Sequence, residues 1–206
     1  MIVDPAEVPT QAMYRLMTAV VIPRPIAFIS TVSAAGQRNL APFSYFNAIS
    51  SAPPLISVAF SDRADDPKDT LRNIRETGEF VVNMVTEPLL PAMARTAGEW
   101  PRATDEFVVA GLTAEPARRV KAPRVAESPV HLECRLHREI ELGNARLVVG
   151  EILLAEIRDD VLTDGRPDAT KLGAVGRLSG EWYSLMREVA EARRPHVSRA
   201  TGEPVS

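Results

Sequence analysis

The sequence has little cysteine and no long apolar run. Cys134 is the only cysteine among 206 residues, which excludes an intrachain disulfide and any zinc site built from paired cysteines. The longest uncharged apolar-rich stretch, residues 25–36, is far shorter than the roughly 20 residues that a membrane-spanning helix needs. The first twenty residues also lack a basic segment before an apolar one. We therefore expect no secretory signal, no membrane partner and a cytoplasmic location.

The sequence also lacks a large excess of positive or negative charge. Lysine and arginine together number 24 and aspartate and glutamate 27, which gives a net charge of −3, and basic residues mostly stand among acidic neighbours. This balance provides no field that would gather nucleic acid, so we expect no nucleic-acid partner.

The composition is that of a soluble globular protein, with 45% apolar and 25% charged residues. A chain of this length can bury a core without disulfides or metals, and no mid-chain linker divides it. The sequence predicts one domain over residues 1–187. Residues 188–206, with Arg193, Arg194 and Arg199 among prolines, are predicted to form a flexible tail.

Common catalytic and nucleotide-binding motifs are missing. The sequence contains no G-x-G-x-x-G, G-x-x-x-x-G-K-[ST], H-E-x-x-H or G-x-S-x-G motif. One group of potential metal ligands, His131, Cys134 and His137, lies in an extended segment where alternation separates Cys134 from the two histidines. We expect no metal site there. The same alternation places Cys134 in the core with Leu132 and Leu136, where a thiol is catalytically silent.

Extended segments rich in β-branched and aromatic residues dominate the chain. The sequence predicts a hairpin from residues 26–32 and 38–50, strands over 55–60 and 80–85, and a long hairpin from 130–140 and 145–157. It also predicts two helices, over 67–77 and 88–96, the first with Asp66 as N-cap and Gly78 after its last turn. Antiparallel strands with two or three inserted helices favour a mainly β fold, a closed or half-open barrel, over a parallel doubly wound sheet.

Residues 39–47 are unusual for a core strand. Small hydroxyl and amide side chains alternate there with aromatics, and Pro42 cannot donate to a strand ladder. Two interpretations remain open. The segment is either an edge strand with a proline bulge or a strand that contacts a flat heteroaromatic ligand, whose faces aromatics cover and whose polar edge amides and hydroxyls reach.

Three blocks of sequence resemble the flavin reductase-like family of FMN-binding split barrels. These blocks are Pro23-Arg24-Pro25-Ile26-Ala27-Phe28-Ile29-Ser30-Thr31, Asn39-Leu40-Ala41-Pro42-Phe43-Ser44-Tyr45-Phe46 and Lys68-Asp69-Thr70-x-x-Asn73. Weaker similarity continues through residues 79–83, 147–152 and 177–183, so the resemblance spans about residues 20–185. The chain departs from the family pattern at Leu40, where alanine is common, and at Ser179, where a glycine is common.

The resemblance implies a fold and a set of cofactor contacts. The fold is an antiparallel, Greek-key-like split β-barrel. Residues 39–46 would lie along the isoalloxazine ring of FMN, and the start of the helix after residue 67 would hold the phosphate. The implied cofactor-binding residues are Arg24, Ser30, Thr31, Asn39, Leu40, Ala41, Pro42, Ser44, Phe46, Lys68, Asp69 and Thr70.

The resemblance also implies an activity. We expect an NAD(P)H-dependent flavin reductase that uses FMN, with FAD as an alternative, and that needs neither a catalytic side chain nor a metal, because the flavin carries the redox chemistry. The alternatives are a non-enzymatic FMN electron carrier and a flavin-binding module. A homodimer is expected. The electron acceptor is left open among free flavin, oxygen and a partner monooxygenase.

Overall fold

The structure is a computed structural model that describes residues 1–61 and 66–192. These residues contain five α-helices, two short 3-10 helices and fourteen strands. The helices are α1 (Thr10–Val20), α2 (Asp69–Thr77), α3 (Leu90–Thr96), α4 (Glu106–Ala110) and α5 (Ala169–Leu172), with 3-10 turns at Glu87–Leu89 and Asp159–Val161. The strands are β1 (Arg24–Pro25), β2 (Ala27–Val32), β3 (Arg38–Phe43), β4 (Phe46–Ser51), β5 (Pro54–Ser61), β6 (Glu79–Met84), β7 (Ala114–Glu115), β8 (Arg124–Val125), β9 (Val130–Leu142), β10 (Ala145–Ile157), β11 (Leu162–Thr163), β12 (Arg166–Pro167), β13 (Val175–Arg177) and β14 (Tyr183–Leu185).

One seven-stranded sheet organises the molecule. Its strand order is β3-β2-β6-β9-β10-β5-β4, and every neighbouring pair is antiparallel. The two edge strands, β3 and β4, are consecutive in sequence and separated by only Ser44 and Tyr45. The sheet must therefore curl until its edges approach each other, which makes a barrel with a split between β3 and β4. The backbone N–H of Ala59 on β5 donates to Tyr45 O at 2.8 Å beside this split.

The mainly β class and the split-barrel fold predicted from the sequence are confirmed. The strands over 26–32, 55–60 and 80–85 and the long hairpin also agree with the structure. The extended segment 38–50 is two strands rather than one, because the chain crosses from one edge of the sheet to the other at Ser44. The predicted boundary at residue 187 stays a prediction, and residues 193–206 of the predicted tail lie outside the described residues.

The helices differ more from the sequence-based expectation. The described residues hold five α-helices where two or three were expected, and α1 was not predicted. The predicted cap of α2 is wrong: its N-cap is Lys68, which makes no side-chain cap, while Asp66 accepts a hydrogen bond from Arg72 at 2.7 Å. The end of α2 was predicted correctly, since Gly78 follows it in the left-handed conformation with φ of 72°.

Apolar side chains pack on both faces of the large sheet. One cluster fills the barrel and includes Ile29, Phe60 and Phe80, and the other joins Phe28 and Leu40 to the α3 and α4 region. No helix in the described part of the chain is long and apolar enough to cross a membrane.

Cys134 is fully buried in the barrel core, with Leu132 and Leu136 packed against the same cluster. Burial raises the pKa of its thiol far above the ordinary value, and the nearby Glu133 carboxylate raises it further. The thiolate is therefore both scarce and inaccessible.

We expect Cys134 to react with a soluble thiol reagent about a hundredfold more slowly in the folded protein than in guanidinium chloride. Labelling followed by mass spectrometry measures both rates. A Cys134→Ala variant carrying Ala35→Cys in the exposed 33–37 turn is the control and should label quickly in both conditions. Fast labelling of native Cys134 would contradict the burial described above.

Candidate functional site

A cavity of about 760 Å³ opens at the split of the barrel. Its walls are the end of β3 and the Ser44–Tyr45 link, the last residues of β5, the start of α2, one face of α1 and the segment 96–102. This volume lies within the roughly 300–1,000 Å³ typical of small-molecule sites. The split therefore provides a site of the size that a cofactor requires.

One end of the cavity is apolar and aromatic. The Phe43 and Phe60 rings are in contact at this end, with centroids 4.5 Å apart and ring planes tilted by 57°, and Tyr14 of α1 and Tyr45 line the opening. Trp100 stands at the other wall, where its Nε1 donates to Arg95 O at 2.9 Å. Aromatic faces and edges of this kind suit a flat ligand.

The other end carries positive charge at the start of α2. Lys68 is the N-cap residue of α2. Its carbonyl accepts from the Arg72 backbone N–H at 3.0 Å, and its side chain forms no hydrogen bond or ion pair with another of the described residues. Arg72 pairs with Asp66 at 2.7 Å, and Arg102 lies 3.8 Å from Asp69. The first N–H groups of an α-helix have no partner within the helix, so this end combines a cationic side chain with free backbone donors.

A buried hydrogen-bond network supports the wall between the two ends. Glu106 of α4 accepts from the Leu40 backbone N–H at 3.0 Å and from Asn39 Nδ2 at 3.1 Å. Asn39 Oδ1 in turn accepts from Thr70 Oγ1 at 2.7 Å and from Thr31 Oγ1 at 3.3 Å. The network thus joins α4, β3 and the first turn of α2.

Two carboxyl groups of the cavity have shifted acidities. Burial raises the pKa of Glu106, although the Leu40 and Asn39 hydrogen bonds lower it in part. Burial also raises the pKa of Asp69, against the lowering effect of Arg72. Both shifts come from the removal of water from carboxylates.

Seven of the residues predicted to bind a cofactor line this cavity: Asn39, Ala41, Pro42, Ser44, Lys68, Asp69 and Thr70. They come from two segments that are far apart in sequence, and the closure of the barrel brings them together. Their contacts with a cofactor stay a prediction.

Four other predicted residues lie outside the cavity lining. Ser30 is fully buried and donates to the Pro123 carbonyl, and the Leu40 side chain is in the core. Thr31 lies behind Asn39, where it also accepts from Asn73 Nδ2 at 3.0 Å. Phe46 lines a separate apolar groove. Flavin contacts of these four residues stay a prediction.

Arg24 is not among the cavity-lining residues but lies behind one of them, Ser44, and its phosphate role stays a prediction. The residue is only 6% exposed. Its Nη1 donates to the carbonyls of Thr18 and Val21 at 2.7 and 2.8 Å, and its Nη2 donates to Leu178 O at 2.7 Å. Nε donates to Ser44 Oγ at 3.4 Å. Arg24 therefore ties the end of α1 to the barrel split, which an isolated arginine between prolines does not reveal.

Several lining residues were missed by the sequence analysis. Arg72 follows Lys68 by four residues, and this helical spacing was a usable signal. Glu106, Trp100 and Arg102 come from a segment with no recognisable motif, and only the tertiary fold places them at the cavity.

Residues 17–170 match the flavin reductase like domain family, so the chain belongs to that family. A relative from Aquifex aeolicus is 40% identical over 173 residues, which are 83% of this chain and 88% of the relative. Membership places the chain among flavin reductase-like proteins of the oxidoreductase class.

Two solved structures are closely similar over almost the whole chain. Nitrilotriacetate monooxygenase component B from Bacillus cereus is 35% identical with a TM-score of 0.90, over 93% of this chain and 98% of that one. The 2-nitrobenzoate 2-nitroreductase NbaA from Pseudomonas fluorescens is 28% identical with a TM-score of 0.87, over 98% of this chain and all of that one.

Proposed function

We propose that the protein is an NAD(P)H-dependent flavin reductase that binds FMN in the cavity at the barrel split. The observation that carries the proposal is the pairing of an aromatic slot with a cationic helix start inside one cavity. The slot is bounded by Phe43 and Tyr45, and the helix start is marked by Lys68. FMN has the matching shape, a flat ring joined by a short chain to a dianionic phosphate.

The residues present fit the chemical groups of FMN. Lys68 and the free N–H groups at the start of α2 suit a phosphate, since both carry positive charge and both border the cavity. Ser44 accepts from Arg24 Nε at 3.4 Å, which leaves its hydroxyl proton available to a ring oxygen or nitrogen. Tyr45 and Tyr14 supply apolar contact area at the opening.

The protein's part in the reaction is to hold and orient two ligands. Bound FMN supplies hydride-accepting and electron-donating chemistry, so the chain needs no acid or base at the reacting atoms. Met13 and Met17 of α1 line an apolar side of the cavity, where the nicotinamide ring would lie. The names of the two similar proteins, a monooxygenase component and a nitroreductase, support redox chemistry and make a monooxygenase a reasonable electron acceptor.

Lys68→Ala is expected to weaken FMN binding by about tenfold or more, because a charge-assisted phosphate contact contributes about 1.5–3 kcal/mol. Riboflavin, which lacks the phosphate, should bind nearly as before. Fluorescence titration of the apoprotein with each flavin measures both dissociation constants. Lys121→Ala, which removes an exposed lysine outside the cavity, is the matched control. Equal losses for FMN and riboflavin would show that Lys68 acts elsewhere.

Steady-state oxidation of NADH and of NADPH tests the reductase assignment. We expect turnover that saturates with added FMN, and Cys134→Ala should retain it within about twofold because the thiol is remote from the proposed chemistry. A protein that binds FMN tightly but oxidises neither nicotinamide would instead be an electron carrier. A hundredfold loss in a folded, FMN-binding Cys134→Ala variant would require a thiol in the mechanism.

We also propose a homodimer. Tyr14, Met17, Val20, Val21 and Ile22 are exposed apolar residues on and after α1. A second apolar surface is a groove of about 460 Å³ lined by residues that include Phe46 and Leu185. Exposed apolar area of this extent is unusual on a monomer, and a symmetric copy of the chain can cover it.

Light scattering at micromolar concentration should give twice the chain mass of 22.5 kDa. Val20→Glu places a charge on the exposed apolar surface and should shift the protein towards a monomer. Val108→Glu, an equally exposed position on α4, should leave the mass unchanged. A wild-type monomer that still binds FMN tightly would disprove the dimer.

A further inference from the structure

Glu106 is a buried carboxylate at the edge of the cavity. The residue is 6% exposed and lies in the first turn of α4. Neither of its two protein partners is a cation: Oε2 accepts from the Leu40 backbone N–H and Oε1 from Asn39 Nδ2. A charged group this deeply buried is costly unless the hydrogen bonds it makes are well aligned. Its position therefore requires an explanation beyond packing.

The carboxylate decides which way the Asn39 amide points. A carboxylate only accepts hydrogen bonds, so the NH₂ group of Asn39 must face Glu106 and its oxygen must face the other way. On that side Asn39 Oδ1 lies 2.7 Å from Thr70 Oγ1 and 3.3 Å from Thr31 Oγ1. Both hydroxyls donate to it.

This orientation fixes the role of the Thr70 hydroxyl. A hydroxyl has one proton, and Thr70 uses that proton on Asn39 Oδ1. A phosphate oxygen is an acceptor, so Thr70 has no hydroxyl proton left for a phosphate. The bond instead holds the first turn of α2 against β3, which sets the distance between the cationic end of the cavity and the aromatic slot.

We propose that Glu106 is a positioning residue for phosphorylated flavin: through Asn39 and Thr70 it aligns the start of α2 with β3, so that one ligand can reach both ends of the cavity. This inference rests on the proposed function and adds to it a residue that selects FMN over riboflavin. Only a ligand that spans both ends depends on their alignment.

Glu106→Gln tests the proposal with almost no change in shape. In this variant the Leu40 N–H still donates to the side-chain oxygen of residue 106. The new NH₂ group of residue 106 then faces the NH₂ group of Asn39, and neither group can accept from the other. Rotation of the Asn39 amide would turn its NH₂ group towards the Thr70 and Thr31 hydroxyls, which can accept from it, but the protons of both hydroxyls would then lose Asn39 Oδ1 as their acceptor. We expect FMN affinity to fall about tenfold, which is about 1.4 kcal/mol. Riboflavin affinity should stay within about twofold, because the Leu40 contact that holds β3 is retained.

A swap variant restores the hydrogen-bond polarity. In Asn39→Asp/Glu106→Gln the carboxylate stands on β3, accepts from the substituted amide on α4 and still accepts from Thr31 and Thr70, with the total charge unchanged. Thermal unfolding of the flavin-free proteins should show a fall in Tm of about 2–4 °C for Glu106→Gln and recovery of more than half of that fall in the swap. FMN affinity of the swap should return to within about threefold of the wild type.

Asp105→Asn is the matched control. It removes the same charge from the same helix end. Asp105 forms an ion pair with Arg38 and accepts from the Phe107 N–H at 3.0 Å as the N-cap of α4, and asparagine can also serve as this N-cap. Its preference for FMN over riboflavin should equal that of the wild type. A loss of preference as large as that of Glu106→Gln would overturn the proposal in favour of a general charge effect.

Two other results would overturn it. Equal weakening of FMN and riboflavin by Glu106→Gln would mean that Glu106 acts only through the fold. A swap variant no more stable than Glu106→Gln, or one that fails to fold, would mean that hydrogen-bond polarity is not what Glu106 provides. A wild-type protein that does not distinguish FMN from riboflavin would contradict the proposed phosphate site, while the unfolding measurements on flavin-free protein would still decide whether the network exists.

Discussion

The two-residue link between β3 and β4 is the constraint on which the rest of the structure depends. Ser44 and Tyr45 join the opposite edges of a seven-stranded sheet, so the sheet cannot stay open, and its twist brings the edges face to face. Phe43 and Phe60 pack across the gap, and Arg24 reaches Ser44 from beneath. The cavity is the opening that remains at this split, between the end of β3 and the end of β5.

Buried polar groups turn this opening into a site with fixed geometry. Among the described residues, the edge strand β3 pairs only with β2. On its other side, Glu106 accepts from the Leu40 N–H, and Thr70 donates to the Asn39 side chain. Because an unpaired buried polar group costs about 1–3 kcal/mol, each of these bonds restricts where α2 and α4 can lie. The same contacts therefore stabilise the fold and shape the cavity.

The strand β9 shows where reasoning from alternation fails. Alternation correctly places Leu132, Cys134 and Leu136 in the core. It also predicts a polar outer face, but His131 and Glu133 are buried beneath the segment before β9, where Glu133 accepts from the Arg118 and Arg119 N–H groups and His131 Nδ1 lies 2.9 Å from Asn83 Oδ1. A segment that covers a strand from outside leaves no periodic signal in the strand itself.

The sequence by itself determined five strands of the large sheet (β2, β5, β6, β9 and β10), the helix that begins near Lys68 and the family. Alternation, glycine and proline positions and the residue blocks 23–31, 39–46 and 68–73 are local properties of the chain. Only the tertiary structure decided that Arg24 hydrogen-bonds to the carbonyl of Leu178, that α1 and Trp100 border the cavity, and that Glu106 lies behind Asn39. These facts depend on contacts between residues about 20 to 150 positions apart in the chain, which form when the sheet closes and leave no periodic signal in the sequence.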